Sequence, residues 1–265
     1  MVSKSKPNPW IAFRRGGSFT RARLLCFPYA GAGASVFRQW ADFLPPDFEL
    51  CGVQLPGREE RLRDNLFTNI DPLVESLAVH LAPELDLPFA LFGHSMGSII
   101  AYELTCLLRR KALPQPVHLF VSGRRAPQVP MPFEPFHQLP DTQFIERLRQ
   151  LNGTPEEVFQ HPELLAFALP TLKADFTICE TYNYRGEAPL ECPISAFGGL
   201  ADADVSEQDL IAWGQLTRGP FRLDMLPGDH FFLHASRPRL LAAIAADLRK
   251  TLLSEPRAQA SGSSR

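Results

Sequence analysis

The sequence has no closely spaced cysteines, no long apolar run and no surplus of either charge, and each lack excludes a class of function. Its five cysteines, Cys26, Cys51, Cys106, Cys179 and Cys192, are an odd count with no Cys-x-x-Cys pair. A disulfide framework, a zinc ribbon and a redox motif are therefore all unsupported. Four of the five lie in apolar stretches, where a free cysteine acts as a small hydrophobe, and this usage fits a reducing cytoplasm. No segment approaches the roughly 18 apolar residues that a membrane span needs. Residues 1–10 are polar and proline-bearing, unlike the apolar core of a secretory signal. With 27 basic and 29 acidic side chains the formal net charge is −2, which argues against nucleic acid as the main partner. No block of Lys and Arg offers itself to a membrane surface.

What is there is an ordinary globular composition, 45% hydrophobic and 21% charged over 265 residues. That length suits one α/β domain with an insertion, or at most two small domains. Short apolar runs at residues 23–28, 48–54, 89–92, 117–123, 193–198 and 221–226 read as buried parallel strands. Helical patterns lie between and after them, at residues 36–44, 71–81, 98–111, 206–215 and 239–253. Ser206 and Asp209 have the spacing of a capping box. Alternation of strand and helix predicts a mostly parallel sheet covered on both faces, with ligands bound beyond the carboxyl ends of the strands. Residues 1–20 read as a loose arm, and the Ser-, Gly- and Arg-bearing tail from residue 254 reads as disordered.

Between Arg124 and Pro189 the composition changes. Nine of the 25 prolines fall there and strand signals vanish. Helices fit residues 141–150 (with Asp141 as N-cap), 155–160 and 164–182, the last perturbed at Pro170. A Phe- and Leu-rich helical insertion between two strands reads as a lid over an apolar pocket, or equally as a packed subdomain with no gating role.

One stretch carries chemistry. Leu91-Phe92-Gly93-His94-Ser95-Met96-Gly97 joins a strand to a helix through Gly-x-Ser-x-Gly. By itself the pattern also fits a plain glycine-bracketed turn. In a strand–turn–helix context it places the serine hydroxyl above the sheet, at the positive end of a helix. A serine nucleophile needs a base, an acid to orient that base, and oxyanion donors. Of seven histidines, only His230 occupies the loop after the last strand. His80 and His118 lie within a helix and a strand, His94 adjoins the serine and points elsewhere, and His137 and His161 lie in the insertion. His234 is at the start of the last helix. Asp202 and Asp204 both follow the fifth strand, and loop position favours Asp202; Asp229 adjoins the base and points away from it. The small-residue loop Tyr29-Ala30-Gly31-Ala32-Gly33 reads as a tight turn or as the source of a second oxyanion donor beside the Met96 N–H. The charges of Leu55-Pro56-Gly57-Arg58-Glu59-Glu60-Arg61 read as a solvated rim.

Five stretches in this order resemble one family. They are Phe27-Pro28-Tyr29-Ala30-Gly31-Ala32-Gly33, Gln54-Leu55-Pro56-Gly57-Arg58, Gly93-His94-Ser95-Met96-Gly97, Gly198-Gly199 with the Asp202 loop, and Gly228-Asp229-His230-Phe231-Phe232-Leu233. Together they look like a type II thioesterase, a stand-alone editing enzyme of nonribosomal peptide and polyketide synthesis and a relative of the medium-chain fatty acid synthase thioesterase. The resemblance implies an α/β-hydrolase fold over residues 21–253, with a lid insertion at about residues 124–165. It implies Ser95, His230 and Asp202 as the catalytic triad, because Gly198-Gly199-Leu200-Ala201-Asp202-Ala203-Asp204-Val205 aligns with the family's Gly-Gly-x-x-Asp-Pro-x-Val. Ala203 departs from that proline, and Tyr29 stands where many members have His. It implies Ala30 and Met96 N–H groups as the oxyanion hole. The implied reaction is hydrolysis of acyl thioesters on the phosphopantetheine arm of a carrier protein, for editing or for product release. It calls for no metal and no organic cofactor. Carrier domains are the partner so implied, with neither nucleic acid nor membrane, and a monomer is compatible with all of this. Hydrolysis of small oxygen esters, product-releasing cyclisation and a silent binding module are the other readings of the same residues.

Overall fold

Seven strands form one sheet in the order β1-β3-β2-β4-β5-β6-β7. The structure, a computed structural model, describes residues 8–151 and 156–254. The strands are β1 (Ile11–Arg15), β2 (Ala22–Phe27), β3 (Phe48–Val53), β4 (Phe89–His94), β5 (His118–Ser122), β6 (Ile194–Gly199) and β7 (Phe221–Leu226). All neighbours are parallel except β1, which pairs antiparallel with β3. The helices are α1 (Ile70–Leu81), α2 (Met96–Arg110), α3 (Asp141–Gln150), α4 (Glu156–Gln160), α5 (Pro162–Thr181), α6 (Glu207–Ile211), α7 (Phe232–Ala235) and α8 (Arg237–Ser254). This is the fold of the α/β-hydrolases, a mostly parallel sheet between two helical layers.

The apolar runs become central strands because both of their faces are buried. Leu25, Leu91, Leu119 and Ile194 point into the core shared with α1 and α2. Their neighbours Leu24, Ala90, Phe120 and Phe197 point into the opposite core, closed by Phe37, Trp40 and α8. A third, smaller cluster of Phe136, Phe144, Leu148, Phe159 and Leu172 sits inside the insertion. The cysteines have no disulfide partners, and four of them are buried. Burial pushes the Cys51 thiol up to about 12 and that of Cys179 to about 11, so both stay protonated and inert. No helix among the described residues is long and apolar enough to cross a membrane.

Three expectations need correction. Residues 8–20 are not a loose arm: Ile11–Arg15 is the edge strand β1, Trp10 is 3% exposed, and the Arg61 guanidinium lies 4.1 Å over its ring. The helical pattern after β2 is a run of 3₁₀ turns, Ala34–Asp42, instead of an α-helix. Asp141 is the first residue of α3, and Pro140 occupies the N-cap. By contrast Ser206 and Asp209 do form the expected capping box at α6. Of the expected tail, only Ser254 lies within the described residues, where it closes α8.

The chain leaves β2 for β3 on one side of the sheet and returns to β4 on the other. The order therefore reverses between β2 and β4, and at such a switch point the carboxyl ends of adjacent strands open a crevice. The Tyr29–Gly33 loop follows β2 and Ser95 follows β4, so both border it.

Candidate active site

Ser95 is forced into place by its neighbours. It has φ 52° and ψ −113°, a strained backbone for a residue with a Cβ. From residue 89 to residue 108 every residue is buried except Ser95. A Cβ at Gly93 would stand 2.0 Å from the Gly97 carbonyl oxygen, and one at Gly97 would stand 2.1 Å from the Phe27 carbonyl oxygen. Glycine at both positions is thus a condition of the turn, and one of the two contacts is with the end of β2. The Ser95 N–H donates to the Ser122 carbonyl at 2.8 Å, which ties the turn to β5. The hydroxyl opens into a pocket of about 110 Å³. Among the described residues that hydroxyl has no hydrogen-bond partner.

His230 lines the same pocket from the loop after β7. Its Nδ1 lies 2.8 Å from Asp202 Oδ2, and the Asp202 side chain is fully shielded from solvent. The other oxygen, Asp202 Oδ1, accepts from the N–H groups of Asp204 (2.9 Å) and Val205 (3.1 Å). Three hydrogen bonds fix this carboxylate. The structure therefore brings His230 to Asp202, and Asp204 serves through its backbone. Asp229 accepts from the Phe231 N–H at 2.9 Å and faces its own turn. His234 lies on α7, with Nε2 3.2 Å from the Tyr29 hydroxyl.

His94 is fully buried behind the serine. Its Nδ1 is 2.9 Å from the Ser122 hydroxyl, and its ring centroid is 5.3 Å from that of His230. Desolvation, and then the nearby His230, hold His94 well below the usual imidazole range. It stays neutral, so no second cation arises beside His230 when that ring takes a proton. Tyr29 packs edge-on to His94 and Phe231.

Ala30 lines the pocket, and Met96 is the first residue of α2. Neither N–H has a partner among the described residues, as is usual for the first turn of a helix but not for a loop amide. The apolar wall comes largely from the insertion, through Met131, Phe133, Phe136, Leu148, Leu172 and Phe176. Glu180 closes one end: its Oε2 accepts from the N–H groups of Phe136 and His137, and its Oε1 is buried without a partner among the described residues.

Two residues of consequence were given no role by the sequence, although Arg58 ends one of the five stretches that carry the resemblance. Arg58, expected on a solvated rim, is 7% exposed and forms a two-point ion pair with Asp175 of α5, which is 2% exposed. The available signal was an acid among apolar neighbours in a helix, Asp175 within Ala174-Asp175-Phe176.

The thioesterase-domain model matches residues 22–248. The gramicidin S biosynthesis protein GrsT of Aneurinibacillus migulanus is 46% identical over 252 residues, 95% of this chain and 98% of that protein. Among solved structures, the RedJ thioesterase from the prodiginine pathway of Streptomyces coelicolor superposes with a TM-score of 0.82 at 40% identity. That match covers 92% of this chain and 96% of RedJ. The type II thioesterase BorB from the borrelidin cluster gives a TM-score of 0.82 at 34% identity, covering 92% and 98%.

Proposed function

Since the chain belongs to the thioesterase family, with type II thioesterases of nonribosomal peptide and polyketide pathways among its relatives, we propose that it hydrolyses acyl groups from the phosphopantetheine arm of carrier proteins by a serine acyl-enzyme route. The observation that supports this most directly is that a strained Ser95, the His230 of the His230–Asp202 pair and Ala30, whose N–H has no partner among the described residues, line one largely apolar pocket, with Met96 next to the serine at the start of α2.

A serine hydroxyl is a weak nucleophile until a base takes its proton. His230 Nε2 is free for that task because Nδ1 is committed to Asp202. As Ser95 Oγ attacks the thioester carbonyl, His230 becomes an imidazolium, which the shielded Asp202 carboxylate stabilises. The developing oxyanion lies between the Ala30 and Met96 N–H groups at the N-terminus of α2, and each donor contributes about 3 kcal/mol to the transition state. Collapse breaks the C–S bond, and the thiol leaves carrying the proton from His230. A water, deprotonated by the same ring, then cleaves the acyl-enzyme and restores Ser95. These steps use only this chain, water and the thioester, so no metal or organic cofactor enters; the arm belongs to the partner. The insertion serves as the lid and acyl-pocket wall in this scheme.

Incubation with carrier proteins bearing different acyl groups, read by intact mass, tests the substrate class and ranks the acyl chains. Ser95→Ala is expected to abolish release with an unchanged circular-dichroism spectrum. Undiminished turnover in that variant would refute the mechanism. A parallel assay with oxygen esters of matched acyl length is expected to run much more slowly than the thioesters.

A further inference from the structure

The buried pair Arg58–Asp175 lies outside the triad, yet it touches the loop that offers the Ala30 N–H. Arg58 Nη1 donates to Asp175 Oδ2 at 2.7 Å and Nη2 to Oδ1 at 2.8 Å. The same Oδ2 accepts the Gly31 N–H at 2.7 Å. Arg58 Nη1 also donates to the Ala32 carbonyl at 3.2 Å, and Nε to the Pro56 carbonyl at 3.2 Å. Gln54, one strand-end away, accepts the Ala34 N–H at 3.0 Å and donates to the Arg58 carbonyl at 3.1 Å. The loop is therefore held at three points within four residues, Gly31, Ala32 and Ala34. Thr171 of α5 donates to the Gly57 carbonyl at 2.7 Å, and a Cβ on Gly31 (φ 78°) would meet Leu172 at 2.5 Å. One face of α5 thus presses on both loops.

Energetics say what this pair is not for. A buried ion pair is a weak source of stability, and apolar replacement of both partners is often neutral or better. What the pair does supply is direction. Adjacent amides of an irregular loop compete to face the pocket. A carboxylate that takes the Gly31 N–H commits that amide and leaves the Ala30 N–H, one peptide earlier and at the pocket, without a partner among the described residues. The carboxylate alone would place a negative charge one peptide from a developing oxyanion, and the bidentate guanidinium neutralises it.

We propose that Asp175, held by Arg58, is the positioning residue of the oxyanion loop, so that the insertion helix α5 sets the geometry of the transition-state site. This rests on the Ser95 mechanism above. Neither residue touches substrate. Small displacements of a donor are costly: an error of about 1 Å is worth on the order of 100-fold in rate.

The test uses the full chain and an acyl-phosphopantetheine thioester, with an alkylboronic acid as a tetrahedral adduct of Ser95 whose oxygen occupies the oxyanion position. Asp175→Asn keeps an acceptor for the Gly31 N–H but breaks the ion pair. It is expected to lower kcat on the order of 100-fold with KM little changed, and to weaken the boronic acid by a similar factor. The double variant Arg58→Met/Asp175→Leu is expected to recover the thermal midpoint without recovering kcat or boronic-acid affinity, and it carries the test if the single variant fails to fold. The proposal is overturned if kcat tracks the folded fraction in every variant, if the double variant restores turnover, or if only KM moves. Failure of the underlying mechanism is distinct: Ser95→Ala would then retain turnover, and the unmodified chain would not bind the boronic acid.

Discussion

At the scale of single residues, the choice between two aspartates turns on which one His230 meets. Both follow β6, two positions apart, and position alone favoured Asp202 without deciding it. The structure gives Asp202 the His230 hydrogen bond and a fully shielded carboxylate, while Asp204 contributes an N–H to that same carboxylate. Asp202→Asn keeps an acceptor for the Asp204 and Val205 amides, so the loop persists while the orienting charge is lost. It is expected to cut kcat roughly 10³- to 10⁴-fold, and Asp204→Asn to change it only a few-fold. Steady-state hydrolysis of one thioester by the two variants checks this, and the reverse ranking would transfer the acid to Asp204. Ser95, Asp202, His230 and the Tyr29–Gly33 loop were legible because each sits at the carboxyl end of a recognisable strand. Asp175 was not. Its ion-pair partner is 117 residues away in sequence, and no local pattern encodes a contact of that range. Arg58 looked like a surface charge for the same reason: the carboxylate that buries it arrives from another element.

At the scale of elements, the central strands were readable because burial on both faces demands continuous apolar runs. β1 escaped because an edge strand needs no such run. Ile11–Arg15 is half-buried to exposed, ends in two arginines, and departs from regular register between Ile11 and Phe13. The 3₁₀ run at Ala34–Asp42 also departed from expectation; its buried positions Ala34, Phe37 and Trp40 are three apart, a spacing that 3₁₀ and α-helix share at this length. The turn between β4 and α2 is the least forgiving element. A methyl group added at Gly97 would meet backbone, the Phe27 carbonyl oxygen at 2.1 Å, and no rotamer change can relieve that contact. Gly97→Ala is therefore expected to cost about 3 kcal/mol or more of folding free energy, measured as the shift in urea midpoint at unchanged slope. A loss below about 0.5 kcal/mol would mean that β2 and α2 can separate freely.

At the scale of the whole molecule, acid stability depends on histidines that the fold keeps neutral. His118 bridges three elements: Nδ1 lies 3.0 Å from Thr251 Oγ1 on α8, Nε2 lies 2.9 Å from Ser195 Oγ on β6, and Ser195 donates to Asp247 of α8 at 2.8 Å. Burial pushes His118 down from 6.5 to about 4, against the opposing pull of Asp247 and with a small further push from Arg222. Between those two values the unfolded chain binds a proton that the folded chain refuses, so stability is full above about pH 6.5 and is lost as pH falls toward 4. The loss from His118 is about 3 kcal/mol at the low end, and His94 adds to it with the same sign. Urea midpoints measured from pH 7 to pH 4 are expected to fall more steeply for the unaltered chain than for His118→Gln. Parallel profiles would show that His118 is not held neutral.

The C-terminal half of α5 has a consequence for anyone who would retune this protein. Leu172, Phe176, Cys179 and Glu180 line the pocket, while Thr171, Leu172 and Asp175 meet the loops at Gly57 and Gly31. On the function and the loop-positioning role proposed above, selectivity and turnover are thus written on the same few turns of one helix. Pocket changes made from the α5 side will be epistatic, altering which chain is accepted and how fast it is released together. Changes at Met131 or Phe133, which line the pocket from outside α5, leave those contacts alone, and there the two properties become separable design variables.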